Sequence, residues 1–339
     1  MNTKDLCLSL AAANGISGDE DEICLLTKEL LSEYMPTHID SMKNVTGRLQ
    51  GSGKHILLDA HLDRIGLIVR GISPQGFVLF ERCGGVDPRT LIGSEVTVFG
   101  EKPLFGVVCS VPPHLSNGDD KLPKVTDMAI DIGYSEEEAK KLVFPGDRIM
   151  LNARQHSLLG DYIASPALDN RAGVATVLKC LEILKDNNAN PNLTVLFSSR
   201  EEVNKGGART GAFDCGAEEA IVIDVTFAAS HGVSKDEGGV SGDGAMIGFS
   251  PVLNHALSKK LVSVAKENDI PFQIEVMGRS TGTNADEISV SCGGIKTVTL
   301  SVPVKGMHTG VEVVSVKDID LTARLLAQYI MTCGGDENA

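Results

Sequence analysis

The side chains of this chain that could do chemistry are histidines and carboxylates standing where predicted strands end. His61 and Asp63 come directly after the apolar run at residues 56–58. In open α/β sheets, ligands bind beyond the carboxyl ends of the strands. His61 could bind a metal ion through one ring nitrogen while Asp63 accepts a hydrogen bond from the other, which fixes the tautomer. A structural histidine beside a turn would show the same spacing.

Two adjacent carboxylates, Glu201 and Glu202, follow another predicted strand at residues 193–198. Neighbouring carboxylates tolerate each other poorly unless a cation or a shared proton compensates their charge. The pair therefore favours one metal ligand and one general base, although a solvated loop would also accept both. Asp224 closes the apolar run 220–223, where a solvated aspartate would be unusual.

Asp169 and His308 each stand next to a predicted helix. Asp169 lies just ahead of a helix at residues 173–184, where an aspartate could equally serve as the N-terminal cap. His308 lies between a strand and the final helix. Together, these positions supply two imidazoles and several carboxylates, which suits zinc, cobalt or manganese and not a thiolate-bound iron–sulfur cluster. We assign no role to the histidines at positions 38, 55, 114, 156, 231 and 255.

Helical and extended patterns alternate at both ends of the chain. Residues 4–13 and 19–34 predict two helices separated by a glycine turn, and residues 56–60 predict a buried strand. In the second half of the chain, strands and helices alternate up to a final helix at residues 315–331, with Asp318 at the capping position. Such alternation predicts an α/β fold with a mixed, mostly parallel sheet sandwiched by helices.

The middle segment, residues 67–158, has a different character. Short apolar runs are punctuated there by glycine and proline, a pattern typical of short strands joined by turns. One helix interrupts them, beginning at Ser135 with Glu138 three residues later, which is a capping-box signature. We therefore predict one α/β domain built from residues 1–66 and 159–339, with a small β-rich domain inserted in its middle.

Composition and charge argue against several classes of protein. The formal net charge of −14 disfavours a nucleic-acid or anionic-membrane partner, which requires a surface rich in lysine and arginine. The 8 cysteines form no Cys-x-x-Cys pair, which favours a reducing compartment over a disulfide framework. No apolar run approaches the roughly 20 residues of a membrane span, and the charged flanks of residues 6–13 do not fit a secretory signal. We expect a cytoplasmic protein.

In their order along the chain, these motifs resemble those of the tetrahedral aminopeptidases. This group comprises glutamyl-aminopeptidase-like enzymes of metallopeptidase family forty-two, which are also labelled cellulase-like. The similarity spans nearly the whole chain. It rests on residues 15–18, His61 and Asp63 with residues 65–66, residues 84–87 with Arg89, residues 112–114, 131–133, 146–147, 167–171, 201–203 and 224–226, and His308 with Glu312.

The resemblance implies two divalent metal ions per subunit, zinc or cobalt or else manganese. Asp169 would bridge the two ions. His61 and Asp224 would complete one site, and Glu202 and His308 would complete the other.

The resemblance also implies the activity and the assembly. The protein would be an aminopeptidase that removes N-terminal residues from short peptides, with Glu201 as general base and Asp63 orienting His61. Its fold would be zinc-exopeptidase-like. The inserted segment 67–158 would be the dimerisation domain, and dimers would build a tetrahedral homo-dodecamer with the active sites inside.

Four positions depart from the usual pattern of this family. Arg64 stands where an acid commonly follows the His-x-Asp motif, and Asn204 replaces a glycine after Glu-Glu-Val. Asn284 replaces the aspartate of a Gly-Thr-Asp-Ala run, and Gly310 replaces a proline after His308. None of them removes a predicted metal ligand or the base. They bear on the substrate pocket and on turnover more than on the reaction type.

Two other functions are compatible with a carboxylate-rich site. A glycoside hydrolase also needs two carboxylates. However, an aromatic content of 4% and the lack of tryptophan argue against stacking on sugar rings. The second alternative is a catalytically weak, metal-binding assembly protein descended from a peptidase. Glu201 argues against it, because this residue would serve catalysis and not coordination.

Overall fold

The computed structural model describes residues 1–115 and 124–333. Its first elements are α1 (Thr3–Ala12), α2 (Asp21–Ser32), β1 (Thr37–Ile39), β2 (Val45–Leu49) and β3 (Ser52–His61). Both helices predicted in this part of the chain are confirmed. The side chain of Asn2 caps α1 by accepting a hydrogen bond from the backbone N of Asp5 at 2.8 Å. Leu6 and Leu10 of α1 are buried in the main hydrophobic core.

The strands of the middle segment close into a small barrel. Its elements are β4 (Gly66–Ile72), β5 (Val78–Cys83), β6 (Glu95–Phe99), β7 (Pro103–Ser110), β8 (Met128–Asp131), α3 (Glu136–Leu142) and β9 (Arg148–Leu151). The order around the barrel is β4-β5-β8-β7-β6-β9, and the pairs are antiparallel. Phe80, Val96 and Ile130 belong to a hydrophobic core that fills it. The predicted capping box of Ser135 and Glu138 begins α3.

The remaining elements return to alternating strands and helices. They are β10 (His156–Ser157), β11 (Tyr162–Ser165), α4 (Leu168–Asp186), β12 (Pro191–Ser198), α5 (Glu201–Asn204), α6 (Gly206–Phe213), β13 (Glu219–Phe227), β14 (Ala245–Phe249), α7 (His255–Glu267), β15 (Phe272–Val276), α8 (Ala285–Ile288), β16 (Lys296–Lys305), β17 (Glu312–Ser315) and α9 (Val316–Cys333). Short 3₁₀ helices occur at Pro88–Thr90, Pro113–Leu115, Val125–Asp127 and Ser291–Gly293.

Within the described residues, 11 strands form one mixed sheet in the order β1-β2-β12-β3-β13-β16-β17-β11-β10, with β14 beside β16 and β15 beside β14. The predicted parallel arrangement holds at the centre, where β12, β3, β13 and β16 lie side by side and parallel. The outer pairs of the main path are antiparallel, from β1 with β2 to β11 with β10.

The sheet is covered on both faces, which explains the apolar run of β3. Successive side chains of a strand point to opposite faces. Ile56 and Leu58 therefore pack in the core that includes residues of α1, α4, α7 and α9. Leu57 packs in a second cluster with Ala208 of α6 and Ile288 of α8. Burial on both faces selects a continuous apolar run instead of an alternating one.

The predicted role of Asp318 is wrong. Its buried carboxylate does not cap α9. It accepts hydrogen bonds from the backbone N of Gly242 at 2.7 Å and of Gly244 at 2.8 Å, in the loop before β14. These two peptide N–H groups are held next to the first turn of the helix, and a buried N–H group without an acceptor is costly. The carboxylate therefore fastens the loop to the helix.

None of the helices in residues 1–115 and 124–333 is long and apolar enough to cross a membrane.

Candidate metal centre

The sheet topology gathers the residues that we predicted as metal ligands. β3 lies between β12 and β13, and all three strands are parallel, so their carboxyl ends meet at one edge of the sheet. His61 ends β3, and Asp224 lies in the second half of β13. Glu202 lies in α5 just after β12, and Asp169 lies in the first turn of α4. His308 joins them from the loop between β16 and β17.

His61, Asp169 and Asp224 form one compact group. The Nε2 atom of His61 lies 3.1 Å from Oδ1 of Asp169 and 3.6 Å from Oδ1 of Asp224. All three side chains are buried. One possible ligand atom from each residue lies within 4.8 Å of the others. A single ion with ligand distances of about 2.0–2.2 Å can span such a group.

Asp169, Glu202 and His308 form a second group of the same kind. The Nε2 atom of His308 lies 3.3 Å from Oδ2 of Asp169 and 3.4 Å from Oε2 of Glu202. Asp169 therefore presents one carboxylate oxygen to each histidine and belongs to both groups. Among the described residues, the buried Oε1 atom of Glu202 has no hydrogen-bond partner, so it can still accept a cation.

The backbone is unusual on both sides of these ligands. Asp169 does not cap α4. Ala167 is left-handed with a φ of 60°, and the backbone is non-helical at Asp169 and Asn170. The side chain of Asn170 caps the regular part of the helix by accepting a hydrogen bond from the backbone N of Gly173 at 3.0 Å. Arg200 before the glutamate pair and His308 itself are also left-handed, with φ values of 58° and 62°. The peptide between Asp169 and Asn170 is cis. Left-handed non-glycine residues cost of order 1–3 kcal/mol each and cluster at functional sites.

The two histidines stabilise the charged form of the carboxylate that they share. Burial alone would raise the pKa of Asp169, but the hydrogen bonds of His308 and His61 outweigh it and hold this pKa below its ordinary range. The same contact with Asp169 raises the pKa of His308 to about 9 against the effect of burial. The two histidines therefore favour the ionised form of Asp169.

The other acids of the site crowd together with too little positive charge. Burial raises the pKa of Glu201 to about 8, and it raises the pKa of Glu202 well above its ordinary value. Burial also raises the pKa of Asp224, and nearby Asp169 raises it further. Perturbed acids that share a cleft are typical of functional sites. Divalent cations would remove the imbalance.

Asp63 fixes the glutamate pair as well as His61. Its Oδ1 atom accepts a hydrogen bond from the backbone N of Glu201 at 2.8 Å, and its Oδ2 atom accepts one from the backbone N of Glu202 at 3.1 Å. Ser17 Oγ donates to the same Oδ2 atom at 2.6 Å. The Nδ1 atom of His61 lies 3.1 Å from the Asp63 carbonyl oxygen and 3.5 Å from the Oδ1 atom. The nearer acceptor for the ring is therefore the backbone carbonyl.

Glu312 holds the site from the other side, a role that we did not predict from the sequence. Its buried carboxylate accepts hydrogen bonds from the backbone N of Asp169 at 2.9 Å and of His308 at 3.0 Å. One side chain therefore fixes the main chain at two of the predicted ligands. The four-residue spacing from His308 is the only sequence signal that could have indicated this role.

The structure also explains one departure from the family pattern. Asn284 donates from Nδ2 to Oδ2 of the buried Asp59 at 2.9 Å and to Oγ of Ser198 at 2.8 Å. Burial raises the pKa of Asp59 to about 7. An aspartate at position 284 would place a second carboxylate against Asp59, whereas the amide donates a hydrogen bond. Asn204, another departure, accepts from the backbone N of Gly206 with its side chain.

A cavity of about 490 Å³ opens over the site. Its lining includes His61, Asp169, Asp224, His308 and Glu201. The apolar side chains of the lining are those of Val225, Phe227, Met246, Ile274, Val276, Met277 and Met307. Outside the predicted metal site, the charged lining residues are Lys235, Asp236, Glu237 and Glu275. Among these, Glu275 is held in place, because Thr226 and Ser301 donate hydroxyl hydrogen bonds to its two oxygens.

Comparison with known proteins finds a matching family model and related aminopeptidases. The sequence model of the M42 glutamyl aminopeptidase family matches residues 43–325. A putative aminopeptidase of Acetivibrio thermocellus is 34% identical over 333 residues, which covers 96% of this chain and 98% of that protein. A lysyl aminopeptidase of Pyrococcus furiosus is 31% identical over 335 residues, covering 95% and 94%.

Solved structures agree with the sequence comparison. An aminopeptidase of the archaeon Desulfurococcus kamchatkensis superposes with a TM-score of 0.91 at 29% identity, covering 99% of both chains. The TET1 peptidase of Pyrococcus horikoshii superposes with a TM-score of 0.85 at 31% identity, covering 97% of this chain and 99% of that one. A structure from Thermotoga maritima described as an endoglucanase has a TM-score of 0.77 at 26% identity, covering 96% of both chains.

Proposed function

The chain belongs to the M42 glutamyl aminopeptidase family and is a metal-dependent aminopeptidase, and from that premise we propose that it works with two divalent metal ions. His61, Asp169 and Asp224 would hold one ion, and Asp169, Glu202 and His308 would hold the other. One observation carries the proposal: the Asp169 carboxylate presents a different oxygen to each of two histidines, and each histidine has a further carboxylate beside it.

The residues present fit such ions. Imidazole nitrogens and carboxylate oxygens suit zinc, cobalt or manganese. The unpartnered Oε1 atom of Glu202 is a buried acceptor within the described part of the chain, and a cation would satisfy it. The crowding of buried acids also favours positive charge at this point. By the same reasoning, we propose a zinc-exopeptidase-like arrangement of sheet and ligands.

The reaction is hydrolysis of the first peptide bond of a short peptide. Bound in the site, the two ions would polarise the scissile carbonyl and lower the pKa of a shared water. Glu201 lines the cavity beside the ligands and is the proposed general base. It takes the proton of the attacking water and delivers it to the leaving amine, a contribution of roughly 10²–10⁴-fold. Asp63 keeps Glu201 and Glu202 in position through their peptide N–H groups.

The cavity wall favours a basic N-terminal residue. Glu275 lines the cavity together with the apolar side chains of Ile274 and Val276, and it is fixed by Thr226 and Ser301. A lysine side chain would lay its carbon stem on these apolar side chains and bring its ammonium group to the carboxylate. The lysyl aminopeptidase of Pyrococcus furiosus, at 31% identity, supports this preference.

We assign the barrel segment, residues 67–158, to dimerisation, and residues 1–66 and 159–339 to the catalytic domain. Large apolar side chains are exposed on the barrel segment, namely Ile92, Phe105, Val111, Leu115 and Phe144. Exposed apolar patches often mark interaction surfaces. The TET1 peptidase of Pyrococcus horikoshii can assemble into a tetrahedron or a large octahedral shell. We propose that dimers assemble into a tetrahedral homo-dodecamer that admits short peptides. It would work in the cytoplasm, where the free cysteines of this chain would stay reduced.

The glycoside hydrolase alternative is weak. One related structure is described as an endoglucanase, yet Phe227 is the single aromatic side chain among the described residues that line the cavity. Hydrolysis of aminoacyl-p-nitroanilides and of a cellulosic substrate, each with and without a chelator, separates the two functions. The proposal requires chelator-sensitive release of p-nitroaniline and no release of sugar.

Glu201→Gln tests the division of roles in the glutamate pair. The glutamine keeps the size of the side chain and cannot take a proton, so we expect kcat to fall at least about 100-fold with the metal content unchanged. Elemental analysis together with the peptidase assay measures both quantities. Loss of metal in parallel with activity would make Glu201 a ligand and would refute its role as base.

A further inference from the structure

Two arginines are buried behind the metal centre with few acceptors for their N–H groups. Arg64 is 2% exposed and Arg171 is 0% exposed. Both approach the turn at Gly15. The backbone N of Arg64 donates to the Gly15 carbonyl at 2.9 Å, and a Cβ atom on Gly15 would lie 2.5 Å from Nη2 of Arg171. In the described structure, Nε of Arg64 and both Nε and Nη2 of Arg171 are buried without a hydrogen-bond partner.

The charge of these guanidinium groups is poorly compensated. Burial lowers the pKa of Arg64 to about 10 and that of Arg171 to about 9, and both groups remain cations at neutral pH. The charge of Arg64 also lowers the pKa of Arg171, so the two cations destabilise each other. A buried charge without a partner is costly.

Two acids whose charge acts on these arginines, Glu312 and Asp63, are already engaged elsewhere. Glu312 acts on Arg64 through its charge, but its oxygens accept from the backbone N atoms of Asp169 and His308. The charge of Asp63 raises the pKa of Arg171, but the oxygens of Asp63 accept hydrogen bonds from the backbone N atoms of Glu201 and Glu202 and from Ser17 Oγ. Neither carboxylate is therefore free to serve a guanidinium group alone, and an acceptor from outside this network would add negative charge.

A second cavity gives such an acceptor access to Arg64. It has a volume of about 390 Å³ and shares none of its described lining residues with the cavity over the metal centre. Arg64 lines it together with Ala11 and Ala12 of α1, Asn152 and Gln155 of the segment that leaves the barrel, and Pro166 before α4. No acidic residue lies among the described residues of this lining. A buried cation, polar amides and no acid make a site for an anion.

We propose that this cavity binds a small monovalent anion of the chloride or formate class against the guanidinium group of Arg64. The anion compensates the charge of Arg64 and reduces the repulsion between Arg64 and Arg171. It also stabilises the junction of α1, the segment leaving the barrel and the residues before α4.

The test compares chloride with gluconate, a bulky and strongly hydrated anion, at constant ionic strength. We expect the melting temperature of the metal-loaded wild-type protein to rise saturably with chloride, by roughly 2 °C or more. We also expect broadening of the ³⁵Cl NMR line, which formate reverses by competition. Identical melting in the two salts, with no broadening, would overturn the proposal.

Variants locate the anion. Arg64→Gln removes the cation and should abolish the chloride response. Arg64→Glu supplies a covalent carboxylate beside Arg171 and should be insensitive to chloride while remaining folded. Arg70→Gln is the matched control, because Arg70 is a half-exposed barrel residue paired with Glu81, and it should keep the wild-type response. A chloride response that persists in both Arg64 variants, with full metal content by elemental analysis, would assign the anion to the metal centre and refute this site.

Discussion

Asp63→Asn is the change that best tests how the main chain holds the catalytic pair. The carboxylate accepts hydrogen bonds from the backbone N atoms of Glu201 and Glu202 and from Ser17 Oγ. An asparagine keeps one oxygen and turns an NH₂ group toward a peptide N–H, so at least one of these bonds is lost. Hydrogen bonds to charged groups contribute about 1.5–3 kcal/mol, and the orphaned N–H adds to the loss. We expect a loss of stability of about 2–4 kcal/mol.

Part of that loss should appear in the reaction, because a displaced Glu201 no longer meets the water in the right orientation. With a factor of ten for each 1.36 kcal/mol, kcat/KM should fall roughly 10- to 300-fold. Asp63 is not a proposed ligand, so elemental analysis should find the metal content preserved. Ser17→Ala is the control, because it removes the hydroxyl bond and leaves both peptide N–H groups with their acceptor. An Asp63→Asn enzyme within twofold of wild-type kcat/KM would refute this account of Asp63.

Three further changes probe other parts of the account. Asp169→Asn should lose metal at both sites, because one carboxylate serves both ions. Elemental analysis that finds two tightly held ions per chain in the mutant would exclude a bridging role for Asp169. Glu275→Gln should lower kcat/KM for lysyl substrates at least about tenfold more than for leucyl substrates. The control variant Glu237→Gln should show no such difference between the two substrates. An equal loss on both substrates in Glu275→Gln would mean that Glu275 binds the α-amino group. Tyr329→Phe should lower the free energy of unfolding by about 1–3 kcal/mol at pH 7, because Tyr329 donates to the buried Glu219. Burial raises the pKa of Glu219, but its hydrogen bonds outweigh burial, so the pKa in the folded protein is below the ordinary glutamate value. The stabilisation is therefore present at a pH above the ordinary glutamate pKa. It is lost as the pH falls through the lowered pKa of the folded protein. Denaturant titrations that show the same Tyr329→Phe deficit at pH 7 and at pH 3 would contradict this.

The sequence predicted the positions of the site residues well where a local residue pattern and the strand order act together. His61 and Asp224 end or follow apolar runs that are buried on both faces of the sheet, and such runs are legible without a structure. Because β3 is parallel to its neighbours β12 and β13, the carboxyl ends of these strands meet at one edge of the sheet. The capping box at Ser135 and Glu138 is local in the same sense, because both partners lie within one turn of helix.

Interactions between distant segments were not predictable in this way. Glu312 accepts from the backbone N of Asp169, 143 residues away, and nothing near either residue in the sequence indicates the bond. Asp318 was assigned to a helix cap because only its own helix was visible, whereas the loop at Gly242 and Gly244 provides its donors. The short strands β14 and β15 were missed for the same reason: pairing with β16 and with each other defines them more than their own composition.

The most direct test of the central claim is to count the ions that activity requires. The enzyme is stripped with a chelator and titrated with zinc or cobalt, while the turnover of an aminoacyl-p-nitroanilide and the metal bound per chain are measured together. We expect activity to return in proportion to binding and to level off at two ions per chain. Full turnover with one ion or none, or turnover that survives chelation, would contradict a two-metal aminopeptidase.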